Sequence, residues 1–379
     1  MTSRERVEMT LAHEEPDRVP LDMWGSASRI NTELYLEVDK LLGIDSEKNR
    51  RLIRPTKDTK YEDYALADAL DCDFRHLNTY EPKNFTPYKD EHGWVIDDWG
   101  IGRALVGRYP TIIYNPLAEA DMDDLEAYQT PDPLDPGRFE GLEELAKHYY
   151  YDTDKYVTGY SANSGQVFDV CQYLRGTENF LLDLYADEDF AGALIKKVND
   201  YLIALNLEYL RHIGPYIQWL EFTSDFGSQH AQFISCEMFR DFFKDAYAEL
   251  FAKCKEAAPH IKIFLHSCGD VHDLIGEFID CGVDVMNPIQ PLANNMNSAE
   301  LKKRYGDRVT FHGAIDIQQA MLGSDEDVKN EVKRVMRDVA KGGGYICSPA
   351  NHLQFGTPPE NVVALYRYAK EYGKYPINC

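Results

Sequence analysis

Ile261-Lys262-Ile263-Phe264-Leu265-His266-Ser267-Cys268-Gly269-Asp270 is the stretch on which the fold reading turns. It follows a helix-like segment, and its first five residues form an apolar-rich run of strand length. The run stops at His-Ser-Cys-Gly. Side chains at i and i+2 of a strand share a face, so His266 and Cys268 point two soft donors the same way. Gly269 lets the backbone turn sharply there. In a barrel or an open α/β sheet, ligands and metals sit at the carboxyl ends of the strands.

Working outward, strand and helix patterns alternate on both sides. Downstream come helices at 271–281, 298–305, 326–340 and 358–372, separated by strands at 283–287, 309–312 and 344–348. Upstream lies a long helix at 236–257 with Ser235 as its cap, preceded by a strand at 216–222 and a helix at 187–213. Further back are helices at 168–175 and 177–185 and a strand at 156–160, with Ser161 to Gly165 as its loop. Strands at 18–23 and 72–77 complete a set of eight. This pattern predicts an α/β chain folded as one (β/α)8 TIM barrel domain spanning 1–379. Residues 80–135 break the rhythm. The glycine-bearing alternation from Gly93 to Arg103 predicts an N-terminal β-hairpin insertion, over the barrel mouth or as an oligomer arm.

The formal charge of −24 argues against nucleic acid or an anionic membrane as partner. No apolar run reaches the ~18 residues needed to span a bilayer. Residues 1–8 do not read as an export signal. Eight cysteines, at 72, 171, 236, 254, 268, 281, 347 and 379, form no clustered framework. Reduced thiols in a cytoplasmic protein are expected.

Several motifs together carry a resemblance. They are Thr2-Ser3-Arg4-Glu5-Arg6-Val7 with Glu15-Pro16-Asp17-Arg18-Val19-Pro20, Leu174-Arg175-Gly176, and Ile234 to Lys244. His266-Ser267-Cys268-Gly269 and the ending from Gly342-Gly343-Gly344-Tyr345 through Gly356 to Val362 complete the set. Over nearly its full length the chain resembles the uroporphyrinogen decarboxylase superfamily, whose fold is a (β/α)8 barrel. It is nearer the zinc- and corrinoid-dependent branch, of the methylcobamide:coenzyme M methyltransferase kind, than the true decarboxylases. The decarboxylases' arginine motif is missing after the first strand, where Leu21-Asp22-Met23-Trp24-Gly25-Ser26 stands with only Arg29 close by.

That branch binds zinc through a His-x-Cys and a later Cys. The resemblance therefore implies Zn2+ on His266 and Cys268 and a methyl group moved between a small-molecule donor or acceptor and a corrinoid (cobalamin) carried by a partner protein. It also suggests a homodimer. Aligned back from Thr357-Pro358, the second Cys falls at Asn351, so Cys347 and His352 are both candidates for the third ligand. Glu221 and Asp225, at the end of the 216–222 strand, are the oxygen candidates and catalytic carboxylates. Tyr160, Gln229, Asn287, Gln290, Asp316 and Asn351 lie at strand ends or in the loops after them and are expected to meet substrate. Gly342-Gly343-Gly344 precedes a strand instead of opening a helix and is read as a turn, not a phosphate cradle. Two alternatives stay open. A cofactor-independent decarboxylase of uroporphyrinogen or a similar polycarboxylate would need a cationic cradle, for which Arg29, Arg75 and Arg103 are the candidates. A non-catalytic corrinoid- or porphyrin-binding barrel would not need Cys268.

Overall fold

The computed structural model describes residues 1–53, 58–161 and 165–379. Residues 162–164 of the expected 161–165 loop therefore lie outside the described residues.

Seven parallel strands run in chain order around one curled sheet: Phe74–Asn78, Tyr156–Tyr160, Trp219–Thr223, Lys262–His266, Val285–Asn287, Thr310–Ile315 and Tyr345–Pro349. The eighth position is held by the chain at 20–22. Leu21 bridges Cys347 in parallel, the Cys347 N–H donates to the Pro20 carbonyl, and the Asp73 N–H donates to the Leu21 carbonyl. The short 20–22 segment thus joins both edges and closes the barrel. All eight expected strands are present within a few residues. Helices, the longest Glu188–Ile213, alternate with the later strands and cover the outside. No helix among the described residues is long and apolar enough to cross a membrane.

The pleat decides what fills the barrel. Phe74, Tyr156, Trp219, Phe264, Val285 and Ile346, from six of the seven strands, form a separate apolar cluster with Val7 of the first helix. Their rings interlock, with Trp219 5.0 Å from Phe74 and 5.3 Å from Phe264. Two residues further along each of these strands the inward side chain is polar: His76, Thr158, Glu221, His266, Asn287 and Ser348, joined by His312. All seven are buried. An apolar floor therefore carries a polar layer one step nearer the carboxyl ends, as layered barrel interiors require.

The insertion is larger than the hairpin expected from Gly93 to Arg103. Four antiparallel strands, Tyr88–Lys89, Val95–Ile96, Gly102–Val106 and Tyr109–Tyr114, form a meander. The last strand carries Pro110, which reads as a strand breaker but is tolerated on a sheet edge. The Asp97 carboxylate accepts from the Trp99 and Ile101 amides and shapes the central turn. Trp99 is buried edge-on against Tyr201 of the Glu188–Ile213 helix, ring centroids 4.6 Å apart.

Candidate metal site

The polar layer is wired from end to end. Asp22, carried in by the segment that closes the barrel, accepts from His76 Nε2 on one oxygen and from His312 Nε2 on the other, each at 2.8 Å. Beyond His76, Nδ1 lies 2.9 Å from Glu221 Oε1. That oxygen also accepts from Thr158 Oγ1 at 2.8 Å and Trp219 Nε1 at 3.0 Å. The other Glu221 oxygen accepts from the Ser26 amide at 2.6 Å. Beyond His312, Nδ1 accepts from Asn287 Nδ2 at 2.8 Å, and Asn287 Oδ1 accepts from His266 Nδ1. His266 Nε2 then faces Asp225 Oδ1 at 3.4 Å.

The charges follow from this wiring. Burial disfavours a charged His76, yet the carboxylates of Asp22 and Glu221 outweigh it and push its pKa up to about 10. Burial would raise Asp22, but the two imidazoles hold it below the usual carboxylate range. Glu221 is likewise held far down by His76, Trp219 and the Ser26 amide, against its burial. At the mouth, burial opposes charge on His266, but Asp225 and Cys268 keep it well above its ordinary value. Burial and the Asp225 charge raise the Cys268 thiol, against the pull of His266. Asp169 lies beside Asp225, whose N–H it accepts at 3.1 Å. Burial and the neighbouring carboxylate push Asp169 up, while His266 and the Cys268 amide hold Asp225 down.

Among the described residues, one group of three or more His, Cys, Asp or Glu can converge on a metal ion. It is Asp225, His266 and Cys268, with donor atoms all within 4.8 Å of one another. Two glycines make this convergence possible. A Cβ on Gly269, at φ +85°, would fall 2.5 Å from the Gly227 backbone, and one on Gly227 would meet the Asp270 backbone at 2.8 Å. The loops after two adjacent strands pass in backbone contact there, and Asp225 is thereby brought to Cys268, whose amide it accepts at 3.0 Å. The donor set suits zinc, which takes thiolate, imidazole and carboxylate. His266 is almost wholly covered whereas the Asp225 side chain is 48% exposed. The group is therefore closed below and open toward the mouth, the arrangement a catalytic zinc requires.

The remaining expected residues are placed as follows. Cys347 alternates with inward Ile346 and Ser348, so it faces the helical layer, and its thiol is pushed up to about 12 by burial. The structure does not bring it to the group. His352 is also outside it; its Nδ1 accepts from the Arg29 amide at 3.1 Å, and Asn351 accepts from the His352 amide. Glu221 belongs to the buried layer, not to the metal group. Asn287 holds His266, and Gln290 accepts from the Gly269 amide at 2.7 Å. Both therefore position the site. Tyr160 meets Thr223 Oγ1 at 3.0 Å, and the Gln229 carbonyl accepts from the Asn294 amide. Asp316 accepts from the amides of Gln318, Gln319 and Ala320 and caps a turn. Sequence reasoning passed over Asp22, His76, His312 and Asp169. The signal for the two histidines was available: each lies on the inward face, at the same step as Glu221 and His266.

A cavity of about 820 Å³ lies between the insertion and the barrel, lined by Tyr80, Trp99, Arg103, Tyr201, Phe355 and their neighbours. Asp225, His266 and Cys268 are not among its lining residues.

A family profile described as uroporphyrinogen decarboxylase (URO-D) matches residues 105–372. Among solved structures, a methyltransferase from Methanosarcina mazei is 17% identical over 98% of this chain and 99% of its own, with a TM-score of 0.69. A B12-independent methionine synthase from a Shewanella species is 12% identical over 93% of this chain and 96% of its own, with a TM-score of 0.47. No curated protein matches.

Proposed function

The chain belongs to the uroporphyrinogen decarboxylase family, and within it we propose a zinc-dependent methyltransferase that moves a methyl group between a small molecule and a corrinoid protein. The observation that carries this reading is the Asp225–His266–Cys268 group, open to the barrel mouth. The likeness of the whole chain to a protein named as a methyltransferase points the same way.

Asp225, His266 and Cys268 would hold the ion. Bound zinc supplies Lewis acidity, able to activate a thiol acceptor or to polarise the leaving atom of a methyl donor. The chain's own residues prepare the place. Asn287 holds His266 by Nδ1 and leaves Nε2 toward the mouth. Gln290 and the Gly227–Gly269 contact fix the turn that carries Cys268. Cys268 and His266 must both give up protons on binding, so affinity rises with pH. The corrinoid protein would dock over the carboxyl ends of the strands, where the group is exposed.

The decarboxylase reading keeps only part of its cradle. Arg29 is buried beside Glu62 at 3.6 Å, Arg75 is forked onto Asp68 at 2.8 Å, and Arg103 is paired with Asp97. Of the three, only Arg29 keeps donors without a hydrogen-bond partner, its Nε and Nη1, and it is fully buried, so no cradle of several arginines stands ready for a substrate carboxylate.

The test is metal content by mass spectrometry, on protein prepared without chelator, beside Cys268→Ala. About one zinc per chain is expected in the wild type and none in the variant, with methyl transfer to or from free cobalamin lost alongside. Wild-type protein with no metal would overturn the proposal.

A further inference from the structure

We propose that Asp22, from the far side of the barrel, is a positioning residue that dictates which nitrogen of His266 faces a metal. The inference rests on the metal site proposed above and uses only the directions of the hydrogen bonds. Asp22 accepts at both oxygens, so His312 must carry its proton on Nε2. Asn287 Nδ2 sits 2.8 Å from His312 Nδ1 and 3.2 Å from the His312 carbonyl. A carbonyl cannot donate, so the Asn287 amide is fixed with its NH2 toward His312, and His312 Nδ1 must be bare. The Asn287 oxygen is left facing His266 Nδ1, which must donate. The only lone pair His266 can offer a cation is then on Nε2, the nitrogen facing Asp225.

The links agree with one another: the bare His312 Nδ1 and the His312 carbonyl both hold the Asn287 NH2. If His312 carried its proton on Nδ1, that proton would oppose the Asn287 NH2, and the amide could relieve the clash only by turning over and giving up its bond to the His312 carbonyl. Its NH2 would then meet His266 Nδ1, and the remaining proton would sit on Nε2, where it blocks a metal. Asp22 is the anchor because an ionised carboxylate has no donor state to flip into. It enters the barrel on the very segment that closes it. Closure of the fold and orientation of the ligand thereby draw on one short segment. The other branch of the network, through His76 to Glu221, shares Asp22 but not His266. Its outer end, where Thr158 Oγ1 donates to Glu221, touches neither Asp22 nor His266 and provides an internal control.

The experiment compares full-length wild type, Asp22→Asn and Thr158→Val in two readouts. Zinc affinity is measured by chelator competition. The protonated ring nitrogens are read from nitrogen-15 spectra of the histidines. In the wild type, His312 should be neutral with its proton on Nε2. Asp22→Asn should lose about tenfold or more in zinc affinity, whereas Thr158→Val should stay within about threefold of the wild type. A His312 that is doubly protonated, or protonated on Nδ1, would overturn the relay, as would an Asp22→Asn variant that keeps wild-type affinity. Should Asp22→Asn not fold, Asn287→Asp decides. Its carboxylate still accepts from His266 but must recruit a proton onto His312 Nδ1, and a bare Nδ1 there would sink the idea. Wild-type protein that binds no zinc defeats the metal reading, while the His312 spectrum still judges the relay by itself.

Discussion

His76 stands between two buried carboxylates, and its charge has consequences for stability. With its pKa pushed up to about 10, its contribution is complete below the ordinary histidine value, near 6.5. It is lost as pH rises toward 10. Asp22 and Glu221 have lowered pKa values, so their share is present above about pH 4 and is lost as pH falls below it. The melting temperature should therefore decline between pH 7 and 10, and a scan of His76→Gln should lack that alkaline slope. His76→Ala should cost about 3–5 kcal/mol in urea unfolding, because it leaves two buried carboxylates short of their cation. This layer shows what a single sequence conceals. His266 and Cys268 were legible because they share a strand face and are two residues apart. His76 and His312 were marked only by their inward step on two distant strands, and nothing local in the segment of Asp22 marks it as the partner that joins them.

At the scale of the element, the site depends on two turns being able to touch. The loop after Trp219–Thr223 and the loop after Lys262–His266 meet through Gly227 and Gly269, with no room for a side chain at either. Gly269 also holds φ +85°, which costs a residue with a Cβ about 1–2 kcal/mol before any clash. Gly269→Ala should lower stability by about 2 kcal/mol or more and weaken zinc binding at least tenfold, read by urea unfolding and chelator competition. Wild-type zinc affinity in Gly269→Ala would show that the close approach does not set the Asp225 position. The strands themselves were readable from sequence, since each is a short apolar run between helix-like patterns. Two elements were not fully readable. The Tyr109–Tyr114 strand was hidden by Pro110. The outward turn of Cys347 was hidden because a strand end does not announce which of its residues faces inward. Only Ile346, lodged in the apolar floor, settles that alternation.

At the scale of the whole molecule, the barrel and the metal site divide the stability unequally. Small zinc domains unfold without metal because they have no other core. Here the barrel is closed by backbone hydrogen bonds at 20–22, floored by interlocked aromatic rings and wrapped by a large apolar layer beneath the helices. The metal group draws on two loops at the rim and on the last residue of one strand, and on none of the floor. Removing metal should therefore leave the fold intact while loosening the rim. On the proposed reading, zinc at about a thousand times its dissociation constant adds roughly 4 kcal/mol through preferential binding to the folded state. The chelated protein should accordingly keep its helical circular dichroism at 25 °C and melt several degrees lower than the zinc-loaded form. Cys268→Ala should melt at one temperature with or without zinc. A chelated wild type that loses its helical signal would mean that the metal holds the barrel itself, and the separation between a self-sufficient core and a metal-dependent rim would have to be abandoned.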